Sequence, residues 1–135
     1  MAEIDVAAVK ENLQQVIAFV DRELEQSGCE RDTMLEIDMA VEEIFVNVCS
    51  YAYDPEVGQT TIRTEIVKEP LSVILSFIDG GVPYDPLKMT DPKLNIPIKE
   101  RSIGGLGIFL VKQTMDDVAY EYRDGKNILT IKKKL

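Results

Sequence analysis

The residues best suited to chemistry lie at three separated places in the chain. The first is Ala40-Val41-Glu42-Glu43-Ile44-Phe45-Val46-Asn47-Val48-Cys49-Ser50-Tyr51. Its apolar spacing predicts a helix, and Glu43 and Asn47, four residues apart, then stand one turn above the other. Met34, Ile37, Val41, Ile44 and Val48 gather on one side of that helix. Glu43, Asn47 and Tyr51 follow its edge, and Glu42 points away. A carboxylate and an amide at the rim of an apolar face suit metal binding and proton transfer. On its own the pattern equally describes a polar helix edge in solvent. The second place is Asp79-Gly80-Gly81, directly after an alternating apolar run. An ionised carboxylate is a pure acceptor, able to receive an exocyclic amine such as that of adenine. The adjacent glycines would let a ligand approach the backbone closely. The plain alternative is a glycine-rich turn with a solvated aspartate. The third place is Gly104-Gly105-Leu106-Gly107, before a run with helical character. Unpaired N–H groups at a helix start favour an anion such as phosphate. The alternative is a flexible hinge. No Gly-Lys-Ser/Thr follows, so this is not a Walker A loop, and no strand precedes it as in a dinucleotide-binding fingerprint.

Composition narrows the chemistry. There is no histidine, which excludes a histidine base, a Ser-His-Asp triad and histidine metal ligation. Two cysteines, Cys29 and Cys49, are too few for a disulfide framework or a zinc site. The net charge of −9 argues against a nucleic-acid partner, since phosphate contacts need clustered Lys and Arg. The charge is uneven: residues 1–58 hold 14 acids and 3 bases, residues 59–135 hold 10 acids and 12 bases. An acidic helical surface of this kind is ordinarily solvated; it also suits docking of a basic protein segment. No run is apolar enough for a leader or a membrane span, so the expected location is the cytoplasm. At 135 residues the chain is expected to form a single domain, 1–135, with a core that needs no staples.

The elements that must position these residues follow from periodicity. Residues 6–26 carry Val9, Leu13, Val16, Ile17, Val20 and Leu24 at helical spacing, with Gly28 a plausible stop. Asp32 or Thr33 would cap the second helix, which runs to about Tyr51. Ile62, Thr64 and Ile66 then alternate as a strand. Lys68-Glu69-Pro70 turns the chain into a second, more apolar strand ending at Asp79, which should be central. Residues 87–103 show neither period and read as a lid carrying Lys88, Lys93, Lys99 and Arg101. A third helix is expected from Ile108 to about Met115. Val118, Tyr120 and Tyr122 alternate as a strand, Asp124-Gly125 marks a hairpin, and 127–133 form the last strand, with Thr130 facing either a ligand or solvent. Ala2–Asp5 is short for a strand, so the predicted order begins with a helix. The fold class is α+β, a two-layer sandwich with helices on one face of a mostly antiparallel sheet.

Together, Glu43-x-x-x-Asn47, Asp79-x-Gly81-x-Pro83-Tyr84-Asp85-Pro86 and Gly104-Gly105-Leu106-Gly107-Ile108 resemble the GHKL superfamily of ATP-binding domains, whose fold is the Bergerat type. Within it, residues 7–134 look most like the small bacterial anti-sigma-factor serine kinases. The resemblance implies ATP and Mg²⁺ as cofactors. It implies Asn47 as the magnesium ligand, Glu43 as the catalytic general base, and Asp79 with Gly81 at the adenine. Gly104, Gly105, Leu106, Gly107 and Ile108 would cover the phosphates, Thr130 would lie near the adenine, and Tyr51 and Tyr84 would contact nucleotide. Tyr51 stands where many relatives have histidine. The implied activity is serine-protein kinase action on a small anti-anti-sigma (STAS-type) protein, with a sigma factor as second partner. Some relatives dimerise through the N-terminal region, so a homodimer is among the implications. Two other readings share the fold: a nucleotide-binding interaction module without kinase activity, and a protein that keeps only the fold.

Overall fold

Alternation in the strands and a 3.6-residue period in the helices leave one apolar face on each layer, and the two faces close on each other. The structure, a computed structural model, describes residues 1–52, 58–88 and 105–135; in the last segment side chains are described from residue 107 onward. The elements are β1 (Ala2–Ala7), α1 (Leu13–Gln26), α2 (Arg31–Tyr51), β2 (Gln59–Val67), β3 (Ser72–Asp79), α3 (Gly105–Thr114), β4 (Asp117–Arg123) and β5 (Lys126–Lys134). Short 3₁₀ turns stand at Lys10–Asn12 and Pro86–Lys88. The strands lie in the order β1-β2-β3-β5-β4, and each neighbouring pair is antiparallel. The fold is the α+β two-layer sandwich expected from the sequence, with β3 at the centre.

The core sits between the layers. Val16, Val20 and Leu24 of α1 and Ile37, Val41, Ile44 and Phe45 of α2 pack with Ile62, Val73, Leu75, Phe77 and Ile131 of the sheet, along with Val111 of α3. Each such side chain, fully buried, contributes about 1.5–3 kcal/mol. In β3 the inward set is Val73, Leu75, Phe77 and Asp79, and in β5 it is Asn127, Leu129 and Ile131. A polar residue therefore ends each inward row, and the register pairs the two: Asp79 faces Asn127.

Four boundaries depart from the sequence reading. Ala2–Ala7 is a strand, paired antiparallel with β2. It escapes a hydropathy pattern because it is an edge strand held partly by polar cross-strand contacts: Thr61 donates to Asp5, and Arg63 Nε donates to Glu3 Oε2 at 2.6 Å. Val6, placed in the first helix by periodicity, is instead buried in β1, and α1 begins only at Leu13. Helix α2 starts at Arg31, not after an Asp32 or Thr33 cap: Glu30 is the extended residue before it and makes no side-chain cap. Asp32 falls in the first turn, where a negative charge favours the helix dipole. Helix α3 starts at Gly105 rather than Ile108, so its glycines form the first turn itself. Gly28 does end α1. With φ at 76° it lets its own N–H reach Glu25 O while Cys29 N–H reaches Leu24 O, the paired closure typical of a left-handed C′ glycine.

Candidate functional site

Helix α2 brings the first polar group inward because its edge runs between core and solvent. Ile44 and Phe45 are fully buried and Asn47, one turn on, is only 9% exposed. Glu43 and Tyr51 are half-buried, and Glu42 is exposed. The rotation predicted for this helix therefore separates the two adjacent glutamates as expected. Burial pushes the Glu43 carboxyl up from its ordinary value, and the neighbouring Glu42 charge adds to this.

A pocket opens between the second half of α2 and the ends of β3 and β5. Ile44, Val48, Phe77 and Leu129 give it apolar walls, and Asn47, Asp79 and Asn127 supply polar groups. Tyr51 and Tyr84 line it as a stacked pair, with ring centroids 5.0 Å apart and planes 19° from parallel. Burial, then Tyr51, raises the Tyr84 phenol, and a hydrogen bond with Asn47 partly offsets this. Asp79 is 6% exposed, and its Oδ1 receives the Gly81 N–H at 2.9 Å and the Asn127 Nδ2 at 2.9 Å. Of the two sequence readings for Asp79, solvated turn or held acceptor, the structure shows the held one.

The Gly81 position is fixed from the other side. A Cβ there would lie 2.1 Å from the Ala52 carbonyl oxygen, and the next residue, Val82, donates its N–H to that same oxygen at 3.0 Å. The chain after β3 thus docks on the end of α2, and only glycine fits the contact.

Glu43 opens onto a neighbouring cavity shared with Met39, Gly107, Leu110 and Val111. Its carboxylate lies against the first turn of α3: a Cβ on Gly107 would fall 1.9 Å from Glu43 Oε2. Glu43 and the glycine turn, 64 residues apart by the numbering, are therefore neighbours in space, one helical turn from Asn47 and its pocket.

Not every predicted residue joins the site. Thr130 does not. It alternates with the inward Leu129 and Ile131, pairs with Ser76, and its hydroxyl lies 3.5 Å from Ser76 Oγ on the sheet face opposite the helices. The expectation that it lies near an adenine is corrected by the pleat, which puts odd-numbered β5 residues inward. Ile108 is buried. Gly104, the lid residues Lys93, Lys99 and Arg101, and the side chain of Leu106 lie outside the described residues; Lys88 closes the 3₁₀ turn after Pro86. Sequence reasoning missed Asn127 and Tyr120. Asn127 is 6% exposed and accepts both the Tyr84 N–H, at 3.1 Å, and the Tyr120 hydroxyl. The signal was present in part: a two-residue Asp124-Gly125 turn pairs Tyr122 with Asn127. The pairing of Asn127 with Asp79 needs the sheet order, which the sequence does not display.

A family model of the histidine kinase-like ATPase domain matches residues 6–133. The chain belongs to the histidine kinase-like ATPase family. As a histidine kinase-like ATPase domain it is similar to the serine-protein kinase RsbW of Bacillus cereus, 27% identical over 109 residues that cover 78% of this chain and 67% of the relative. It is equally similar to the RsbW serine-protein kinase of Bacillus mycoides, at 27% identity with the same shares covered. Among solved structures, the Acinetobacter baumannii histidine kinase AdeS shares the fold, with a TM-score of 0.54 and 18% identity over 99% of this chain and 68% of that one. Membership of the histidine kinase-like ATPases implies ATP binding. It agrees with the GHKL resemblance read from the motifs. No helix among the described residues is long and apolar enough to cross a membrane.

Proposed function

We propose that the chain, acting as one histidine kinase-like domain over residues 1–135, is an ATP- and Mg²⁺-dependent serine-protein kinase and an anti-sigma-type regulatory switch. The observation that carries the reading is the placement of Glu43: its carboxylate lies against the first turn of α3, one helical turn from Asn47 and the pocket that ends at Asp79. The adenine amine would donate a hydrogen bond to the Asp79 carboxylate inside apolar walls. Asn47 and the backbone of the Gly105–Gly107 turn, where helix-start N–H groups favour anions, would hold the phosphates.

The donor chemistry fits magnesium. Among the described residues no group of three Asp, Glu, His or Cys could hold a metal, and Asn47 offers one amide oxygen. Mg²⁺ keeps several waters and takes phosphate oxygens, so one protein oxygen suffices. Bound there, the ion would neutralise charge on the transferring phosphate.

Glu43 takes the proton of the substrate serine hydroxyl. The serine oxygen bonds to the γ-phosphorus as its bond to the ADP oxygen breaks, and ADP carries off that electron pair. The upward push on the Glu43 carboxyl by burial suits a base, which must be a strong enough acceptor for a hydroxyl proton. The substrate is a small anti-anti-sigma (STAS-type) protein and the second partner a sigma factor, both met in the cytoplasm. Phosphorylation adds roughly −1.5 to −2 charges to the substrate serine. The acidic first half of the chain, with 14 acids against 3 bases, would repel that product.

The test is transfer of labelled γ-phosphate from Mg-ATP to the anti-anti-sigma protein, with wild type and Glu43→Ala compared. Transfer by the wild type, and its loss in Glu43→Ala with nucleotide binding kept, is the expected result. Nucleotide binding by the wild type with no transfer at all would replace the kinase with a nucleotide-binding interaction module.

A further inference from the structure

The outer side of α2 is not the uniformly polar surface of a solvated helix. By rotation, Leu35 and Met39 lie along its middle, with Glu42 on one edge. Asp32, Glu36 and Glu43 follow the other edge, the one that meets α3. Leu35 is exposed, Met39 is 60% exposed and, across the junction, Leu110 of α3 is 41% exposed. Single apolar residues scattered over a surface need no explanation, but a group beside a cavity does. Met39 and Ala40 of α2 and Leu110 and Val111 of α3 give that cavity apolar walls. Glu43 and Gly107 stand at one end of it, Glu36 and Thr114 at the other. It measures about 80 Å³. An apolar cavity of roughly 150 Å³ admits benzene, so this one has room for a single aliphatic side chain.

Charge decides what approaches. Among the described residues, the acids bordering the apolar stripe are Asp32, Glu36, Glu42 and Glu43, and the bases are Arg31, at the start of the helix, and Lys133. Lys133 is already engaged: its Nζ donates to the Thr114 carbonyl at 2.8 Å and stands 3.6 Å from Glu36 Oε2. Lys112 falls on the other side of α3, about 200° of rotation from Leu110. The rim that remains is negative. It attracts a basic group beside the apolar one and repels an acidic one.

We infer that this groove between α2 and α3 is a docking site for the phosphate-accepting protein: it takes one aliphatic side chain from the segment that carries the acceptor serine, and a Lys or Arg flanking that side chain meets the acidic rim. The inference rests on the kinase reading given above, with Glu43 as the base. Spacing on the helix fixes the spacing in the partner. Met39 and Glu43 are one turn apart, roughly 5.4 Å along the axis, and an extended chain advances about 3.3–3.6 Å per residue. The aliphatic anchor therefore falls within about two residues of the serine. Recognition and proton transfer then occupy the two ends of one groove, so an anchored segment presents its hydroxyl at the Glu43 carboxylate.

The experiment is steady-state phosphate transfer from saturating Mg-ATP to the anti-anti-sigma protein, over a range of that protein's concentration. Wild type is compared with the double variants Met39→Gln/Leu110→Gln and Asp32→Asn/Glu36→Gln. Mg-ATP affinity is followed by calorimetry and oligomeric state by sedimentation. Met39 and Leu110 are exposed, so the first variant should fold. Its KM for the protein substrate is expected to rise about 10-fold or more through loss of the buried apolar contact, with kcat and Mg-ATP affinity within about 2-fold of wild type. In the second variant KM is expected to rise about 3-fold at low salt and to approach wild type as salt screens the rim. Replacing the aliphatic residue nearest the serine of the substrate by Ala should raise KM with the wild-type enzyme and add little with Met39→Gln/Leu110→Gln, because the two changes remove one contact. Transfer by the wild type with KM unchanged in Met39→Gln/Leu110→Gln would overturn the inference alone, and a changed sedimenting mass in that variant at unchanged KM would make the face a contact between copies instead. A wild type that binds Mg-ATP and transfers nothing would overturn the kinase reading and the inference with it.

Discussion

Asp21 on α1 and Asp38 on α2 meet across the helix pair, and the Oδ1 atom of each is buried without a hydrogen-bond partner. Burial first, then a hydrogen bond with Asp21, then the Asp21 charge push the Asp38 carboxyl up from 3.8 to about 8. Cys29 faces the same pair, and burial, followed by the charges of Asp38, Glu30 and Asp21, raises its thiol. The sign of the linkage follows. Between pH 4 and 8 the folded chain holds a proton that the unfolded chain has released, so stability falls as pH rises through that window and levels off above it. The gap from 3.8 to about 8, at about 1.4 kcal/mol per pH unit, sets a ceiling of about 6 kcal/mol. Both carboxylates are half-exposed, so solvent screening leaves a working figure of about 1–2 kcal/mol. The amide introduced by Asp38→Asn can donate to Asp21 as the protonated acid does, at any pH. The variant should match wild type at pH 4 and exceed it by about 1–2 kcal/mol at pH 8, or roughly 4–8 °C in Tm for a chain of this size. Urea titrations at the two pH values, read as a shift in midpoint at constant m, measure the effect. Comparison with wild type at each pH removes the general repulsion of a chain of net charge −9. An equal gain at both pH values, or a loss at pH 8, would show that the two carboxyls do not share a proton.

Gly107→Ala sends a methyl to within 1.9 Å of Glu43 Oε2. The glutamate is flexible and α3 gains helix propensity, so stability should change by about 1 kcal/mol or less in a thermal melt, while phosphate transfer falls because the carboxylate is displaced. Gly81→Ala meets the Ala52 backbone oxygen at 2.1 Å, which cannot step aside; a loss of about 2 kcal/mol or more in urea is expected from overpacking. Thr130→Val should leave nucleotide affinity within about 2-fold of wild type by calorimetry, because its side chain stands on the far face of the sheet and the change leaves the pocket's contacts intact.

The legible part of the chain is the part whose pattern is dictated by a period. The α2 rim separated Glu43 from Glu42 because a helix fixes their rotation to about 100° per residue. The alternation of β3 placed Asp79 at the end of an inward row. What escaped depends on pairing between distant segments. β1 has too few apolar residues to announce itself, and its partner strand begins more than 50 residues later. Thr130 and Asn127 lie three apart in one strand, so the pleat sends them to opposite faces. Which of the two lines the pocket beside Asp79 is settled by the β3–β5 register, not by anything local to β5. The contact of Gly107 with Glu43 is of the same kind, since a glycine in a helix start gives no sign of which side chain needs the space.

The central claim is that Asp79, inside its apolar pocket, is the acceptor for an adenine nucleotide, and titration calorimetry of Mg-ATP into wild type and Asp79→Asn tests it most directly. The substitution keeps an oxygen for the Gly81 and Asn127 donors, so the fold should persist. It replaces the ligand-facing oxygen with a donor opposed to the adenine amine. A hydrogen bond to a charged group is worth roughly 1.5–3 kcal/mol, which predicts wild-type binding of ATP and a loss of about 10-fold to 100-fold or more in the variant. Equal affinity for ATP in a folded Asp79→Asn would contradict the account.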